Sequence, residues 1–174
     1  MQEIFTAMNP QAFFKLTYGL YVVSSNFETQ ESGFVCNTVM QVTSDPQQIT
    51  VCTHKHNLTT ELIQKSGCFA VSVLSKNSKP QIFGTFGYRS GHDISKFEKV
   101  EYFRTANQLP VLTEDCIAWF ECEVSQTIDL GTHILFIGKV LNNEILNDNE
   151  PITYAYYHEV LKLKSPKNAP TFHE

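Results

Sequence analysis

The sequence predicts a mainly β protein, an antiparallel barrel with short inserted helices, and three observations carry that expectation. Apolar or alternating runs of strand length recur between turn signals from 19–25 to 132–141. The last two runs are joined by Asp129-Leu130-Gly131, a hairpin signal. No strand is followed by a Gly-x-Gly-x-x-Gly turn, so a doubly wound nucleotide-binding sheet is not expected.

The elements follow in order. Asn9-Pro10 ahead of Gln11-Ala12-Phe13-Phe14 predicts a short capped helix with proline at its first position. Strands are predicted over 19–25, 33–43 and 48–53, the last after an Asp45-Pro46-Gln47 turn. Asn57 opens a helix to residue 65 whose apolar face is Leu58, Leu62 and Ile63, and Gly67 ends it. A buried-type strand follows over 68–74. Ser78-Lys79-Pro80-Gln81 has the form of a capping box before a helix reaching Phe86. Residues 88–93 form a polar loop, and strands are predicted over 100–104, 117–128 and 132–141.

Composition narrows the function classes. A length of 174 residues fits one domain, 1–174, large enough to bury a core. With 42% hydrophobic and 18% charged residues the chain is of globular type. A net charge of −5 leaves no basic excess to displace counterions, so nucleic acid is not an expected partner. The densest basic run, Lys162 to Lys167, reads as a solvated tail. Met1-Gln2-Glu3-Ile4-Phe5 lacks the pattern of a signal peptide, and no apolar run approaches the ~20 residues of a spanning helix. A soluble cytoplasmic protein with no membrane partner is expected. The five cysteines contain no Cys-x-x-Cys pair and read as buried thiols.

The densest chemistry lies between Asn37 and Thr59. Small hydroxyl and amide side chains alternate with apolar ones up to Asp45-Pro46, and an apolar strand then ends in His54-Lys55-His56-Asn57. Neutral donors beside a fixed cation suit an anionic ligand that carries a hydrogen-bonding ring, such as a flavin. Asn57 and Thr59 stand at a helix start, where free amides favour a phosphate, although Asn57 equally suits a plain helix cap. Ser90 and Gly91 with Arg89 or Lys96 make a second candidate phosphate clamp; both cations also suit a solvated surface. The His-x-His of His54 and His56 has no acidic or cysteine ligand nearby in sequence, and no metal is expected.

In their order these motifs resemble the flavin reductase-like family, whose members bind FMN in a split β-barrel. The resemblance runs from Phe14-Lys15-Leu16-Thr17-Tyr18-Gly19 through Asn37 to Pro46 and Lys55-His56-Asn57-Leu58-Thr59. It continues in Gly131-Thr132-His133-Ile134-Leu135-Phe136 and ends at Tyr156-Tyr157. Two further stretches, 86–93 and 165–171, are similar to the flavin domain of high-molecular-weight rubredoxins. No rubredoxin-type cysteine pairs follow before Glu174, so electrons would pass to a separate partner.

The resemblance implies an NAD(P)H-dependent FMN oxidoreductase, a homodimer, that delivers electrons to free flavin, a rubredoxin or another flavoprotein. The alternative is an FMN electron-transfer protein reduced by a partner. It implies that Asn37, Thr38 and Gln41, continued by Thr43 and Ser44, lie along the flavin ring and ribityl chain. His54, Lys55, Asn57 and Thr59 then belong with Arg89, Ser90, Gly91 and Lys96 to the cofactor-binding set. His133 is implied near flavin and nicotinamide as the catalytic residue. Tyr156 and Tyr157 would pack on the flavin, across a dimer interface, or in the core.

Overall fold

The computed structural model describes residues 9–172, and the reading of Met1 to Phe5 lies outside them. The first turn is a 3₁₀ helix, Pro10–Lys15, capped as expected by Asn9, whose side chain accepts from the Gln11 amide at 3.0 Å. Nine strands follow in chain order with three short helices. They are β1 (Tyr21–Phe27), β2 (Gln30–Cys36), β3 (Val39–Ser44), β4 (Gln47–His54), α1 (Leu58–Ser66) and β5 (Cys68–Leu74). Then come α2 (Pro80–Ile82, running into a π turn Phe83–Gly87), β6 (Tyr102–Arg104), β7 (Pro110–Leu112), β8 (Cys116–Asp129), β9 (His133–Ile145) and α3 (Tyr154–Glu159).

Seven strands form one antiparallel sheet in the order β2-β1-β5-β8-β9-β4-β3, and β6 and β7 pair separately. This is the expected mainly β antiparallel class. The expected strand 33–43 is in fact two strands on opposite edges of the sheet, β2 beside β1 and β3 beside β4. Only three residue steps join Cys36 to Val39, at most about 11 Å of chain. The sheet therefore has to curl until its two edges meet at Asn37-Thr38. There Thr38 Oγ1 donates to the Cys52 carbonyl at 3.2 Å, and the Cys52 amide donates to the Thr38 carbonyl at 3.3 Å. These bonds continue the β3–β4 ladder, and the Cys36 thiol at the end of β2 donates to the same Cys52 carbonyl at 3.6 Å, which brings β2 against β4 there.

Strand periodicity builds two apolar layers, because successive side chains point to opposite faces. Val23, Val71, Phe69, Phe136 and Ile134 face the barrel interior, which α1 covers through Ile63. Val22, Ala70 and Leu74 face the other way, against Phe83, Phe86, Phe97, Val111, Trp119 and Tyr157. Gly138 on β9 is required by this packing: a Cβ there would stand 2.5 Å from the Phe69 ring.

One local expectation fails and one strand appears where none was expected, each for an identifiable reason. The Ser78 capping box does not form, because both Ser78 groups are engaged elsewhere: its Oγ donates to the Asp115 carbonyl at 3.1 Å and its amide to the Ser75 carbonyl at 3.0 Å. Strand β7 is three residues long and opens with proline, too short to carry a periodic signal. The cysteines are all unpaired thiols. Burial pushes Cys36 and Cys116 up to about 11 and Cys122 to about 12, so they behave as small hydrophobes. Among the described residues no helix is long and apolar enough to cross a membrane, and no cluster suits a metal ion.

Candidate functional site

A cavity of about 450 Å³ opens between the start of α1, the face of β2, the loop 86–91 and the C-terminal segment 166–170. Each wall has a local cause. Gly67, at φ 72°, ends α1 through its amide to the Ile63 carbonyl, and the helix start at Asn57 points into the cavity. The Asn57 side chain makes no capping hydrogen bond, so the amide group that was a candidate cap is left to the cavity. Thr59 beside it is 1% exposed. The first-turn amides of Leu58 and Thr59 have no intrahelical acceptor.

The loop reaches this place because Gly91 sits against Ser32 and Leu58 so closely that a Cβ would collide with the Ser32 hydroxyl. Its base is fastened by Tyr88, whose hydroxyl lies 2.7 Å from that of Tyr157 and 2.7 Å from the Lys164 carbonyl.

Among the described residues, Arg89, Lys96 and Lys167 line the cavity with His56, and no Asp or Glu does. A chain with net charge −5 has concentrated cations in one concavity. Lys96 carries the argument furthest. It is 4% exposed, yet among the described residues its ammonium has only a long hydrogen bond to the Phe86 carbonyl, 3.4 Å, and stands 5.9 Å from the Phe86 ring centre. Burial lowers its pKa to about 8. A buried ammonium without a carboxylate lacks its counter-ion, and an anion entering the cavity would supply it.

A second feature adjoins the first. His54 and His133 are directly opposed across β4 and β9, with ring centres 4.9 Å apart in an edge contact, and His54 meets His56 at 5.0 Å. The three imidazoles therefore run from the cavity wall to the β8–β9 turn. The His56 amide donates to His54 Nδ1 at 3.1 Å. Burial first, then His133 and His56, lower the His54 pKa, which keeps that ring neutral. His133 Nδ1 is 2.8 Å from Thr132 Oγ1, while its Nε2 is buried without a hydrogen-bond partner.

The remaining expected site residues separate into groups. Asn57, Thr59, Arg89, Ser90, Gly91 and Lys96 come together on the cavity wall. Lys55 does not join them: its ammonium is paired with Asp129 at 2.7 Å across the β8–β9 turn. Asn37 is buried, and its Nδ2 donates to Thr171 Oγ1 at 2.8 Å. Gln41, Thr43 and Ser44 stand exposed on the edge strand β3. There Gln41 Nε2 donates to the Thr43 carbonyl at 3.3 Å, and Thr43 Oγ1 donates to the Pro46 carbonyl. Tyr157 is a core residue, 2% exposed, with its pKa raised by burial and by Tyr88. Tyr156 packs under the Lys76 ammonium at 5.2 Å.

The basic run is exposed at Lys162, Lys164 and Lys167, as expected, but its end and the residues after it, 166–170, also form one wall of the cavity. Composition gave no sign of this, because the segment is held by single side-chain hydrogen bonds to distant residues. Ser32, Phe34 and Val35 of β2 were also missed as wall residues, since strand periodicity reports burial and not what the strand faces.

A split antiparallel barrel with a cation-lined cavity at a helix start defines a class of protein that binds a phosphate-bearing cofactor. Residues 13–162 match the flavin reductase like domain, and the chain belongs to that family. It is 42% identical over 165 residues to the high molecular weight rubredoxin of Moorella thermoacetica, covering 95% of this chain and 72% of that protein. It is 40% identical over 167 residues to a ferric-chelate reductase (NAD(P)H) of Archaeoglobus fulgidus, covering 96% and 99%. Among solved structures it is similar to BorF, the flavin reductase component of a bacterial two-component tryptophan halogenase, with TM-score 0.72, 25% identity and coverage of 82% and 89%.

Proposed function

We propose that this chain is an NAD(P)H-dependent FMN oxidoreductase, and the observation that carries the reading is the buried Lys96, which has no counter-ion among the described residues, in a cavity whose described charged lining is cationic. The family match supports the flavin, and the ferric-chelate reductase (NAD(P)H) of Archaeoglobus fulgidus, matched over 99% of its length, supports the reductase class. A bound FMN would supply the hydride and electron chemistry between the nicotinamide and the acceptor. The protein's part is to hold and orient, so few acid-base groups are needed.

Lys96, Arg89, Asn57, Thr59, Ser90 and Gly91 would hold the phosphate, since the cavity joins full charges, hydroxyls and first-turn amides. Asn37, Thr38 and Gln41 would lie toward the ring, and His54 and His56 would orient His133. The unpartnered Nε2 of His133 would position the nicotinamide. Residues 1–174 act as one domain in this reading. A homodimer is supported by apolar side chains left exposed on three strands: Met40 and Val42 on β3, Ile128 on β8, Leu141 and Ile145 on β9. A small carrier such as a rubredoxin is the acceptor class suggested by the Moorella thermoacetica relative. Five unpaired thiols suit a cytoplasmic setting.

The test uses one cuvette. The purified protein, reconstituted with FMN, is expected to show the bound-flavin absorbance and to bleach on anaerobic addition of NADH or NADPH. No bleaching with either would leave FMN binding but remove the reductase. In the same assay His133→Ala is expected to slow bleaching by a larger factor than it weakens FMN affinity; an unchanged rate would remove the role given to His133.

A further inference from the structure

The segment that follows α3 is fastened across the mouth of the cavity at both of its ends. At the near end, the Lys164 carbonyl accepts from the Tyr88 and Tyr157 hydroxyls, at 2.7 and 3.0 Å, and Ser165 Oγ bonds to the Tyr154 hydroxyl. At the far end, Thr171 Oγ1 takes the Asn37 amide at 2.8 Å and the same Tyr154 hydroxyl at 3.0 Å. Between these anchors Pro166 and Ala169 close a turn through a 2.9 Å backbone bond, and residues 166–170 form the wall facing the loop 86–91 and α1. Lys167 thereby joins Lys96 and Arg89 around the cavity. The segment lies beyond residues 13–162, the span that matches the family, so the family domain alone does not include it.

We propose that residues 165–171 are a clasp that retains FMN as a resident group and selects the mononucleotide over FAD. The inference rests on the flavin reading. A phosphate seated among Lys96, Asn57 and Thr59 would stand against this wall, so its release would be eased when the anchors open. The adenylate of a dinucleotide, joined through that same phosphate, would have to displace the wall. The anchors are individual hydroxyl and amide hydrogen bonds, weak enough to open and long-lived enough to slow exchange.

The experiment compares the full chain, a chain ending at Lys164, and Thr171→Val, which keeps Lys167 and removes the far anchor. Apoprotein is titrated with FMN and with FAD by flavin fluorescence, and FMN release is followed into excess riboflavin-free competitor apoprotein. Far-ultraviolet circular dichroism checks that the barrel persists; Thr171→Val carries the test if the shortened chain does not fold. The full chain is expected to prefer FMN, and both variants to release it at least about tenfold faster with the FMN-over-FAD preference reduced, the change appearing in the off-rate. Release rates and flavin preference unchanged in both variants would overturn the clasp. A full chain that takes up neither flavin would overturn the flavin reading, and the two failures are thus distinguishable.

Discussion

Replacing Lys96 with methionine is expected to weaken FMN binding by about 1.5–3 kcal/mol, the usual contribution of a hydrogen bond to a charged group, or roughly ten- to hundredfold in Kd. Methionine keeps a long unbranched apolar side chain and removes the ammonium, with its long hydrogen bond to the Phe86 carbonyl and its place over the Phe86 ring. The sign of the pH dependence follows from burial. In the empty cavity the Lys96 pKa is lowered to about 8 from its ordinary 10.5, so between these values the unfolded chain holds the proton and the folded chain does not. Apoprotein stability should therefore rise with pH across that window, as the charge that is costly to bury is discharged. FMN affinity should move oppositely. A bound phosphate favours the protonated amine, so binding takes up a proton and weakens as pH rises above about 8. Fluorescence titrations of apoprotein across this range check both claims. A flat profile, or a methionine variant of unchanged affinity, would place the phosphate elsewhere.

The largest effect on stability is expected at the barrel centre. Phe69→Ala should cost about 3–5 kcal/mol, the range for emptying a fully buried aromatic site. Phe69 is 0% exposed, and its ring fills the space that Gly138 leaves open on β9. Backbones on two sides of this space are held by ladder hydrogen bonds, β5 to β8 and β8 to β9, so collapse around the vacancy is restricted. Urea unfolding of the apoprotein, where FMN adds no binding energy, is the measurement. A loss below about 1 kcal/mol would mean that the site repacks.

Much of the fold was legible because strands announce themselves through local pattern. The strand 68–74 coincides with β5, and the hairpin at Asp129-Leu130-Gly131 forms with Gly131 at φ 86°. The division of 33–43 into β2 and β3 was not legible, since Asn37 and Thr38 are ordinary strand residues and only sheet order separates their neighbours. The candidate site shows the same boundary. Asn57, Thr59 and the Arg89 to Lys96 stretch were readable from residue type and helix position, and they do converge. Lys55 is paired outside the cavity wall, because an exposed ammonium takes whichever carboxylate the fold presents, here Asp129 from the distant hairpin.

The amino-acid order by itself therefore determined the antiparallel β class, the helix that offers its start to an anion, and the flavin reductase-like character of the chain. Those follow from periodicity, capping chemistry and motif order, all of which act over a few neighbouring residues. Tertiary structure alone decided which cation is buried without a counter-ion, that His133 meets His54, and that the C-terminal segment walls the cavity. Each of these is a contact between residues far apart in the chain. Burial and partnership at long range depend on how the sheet curls, which no local window contains.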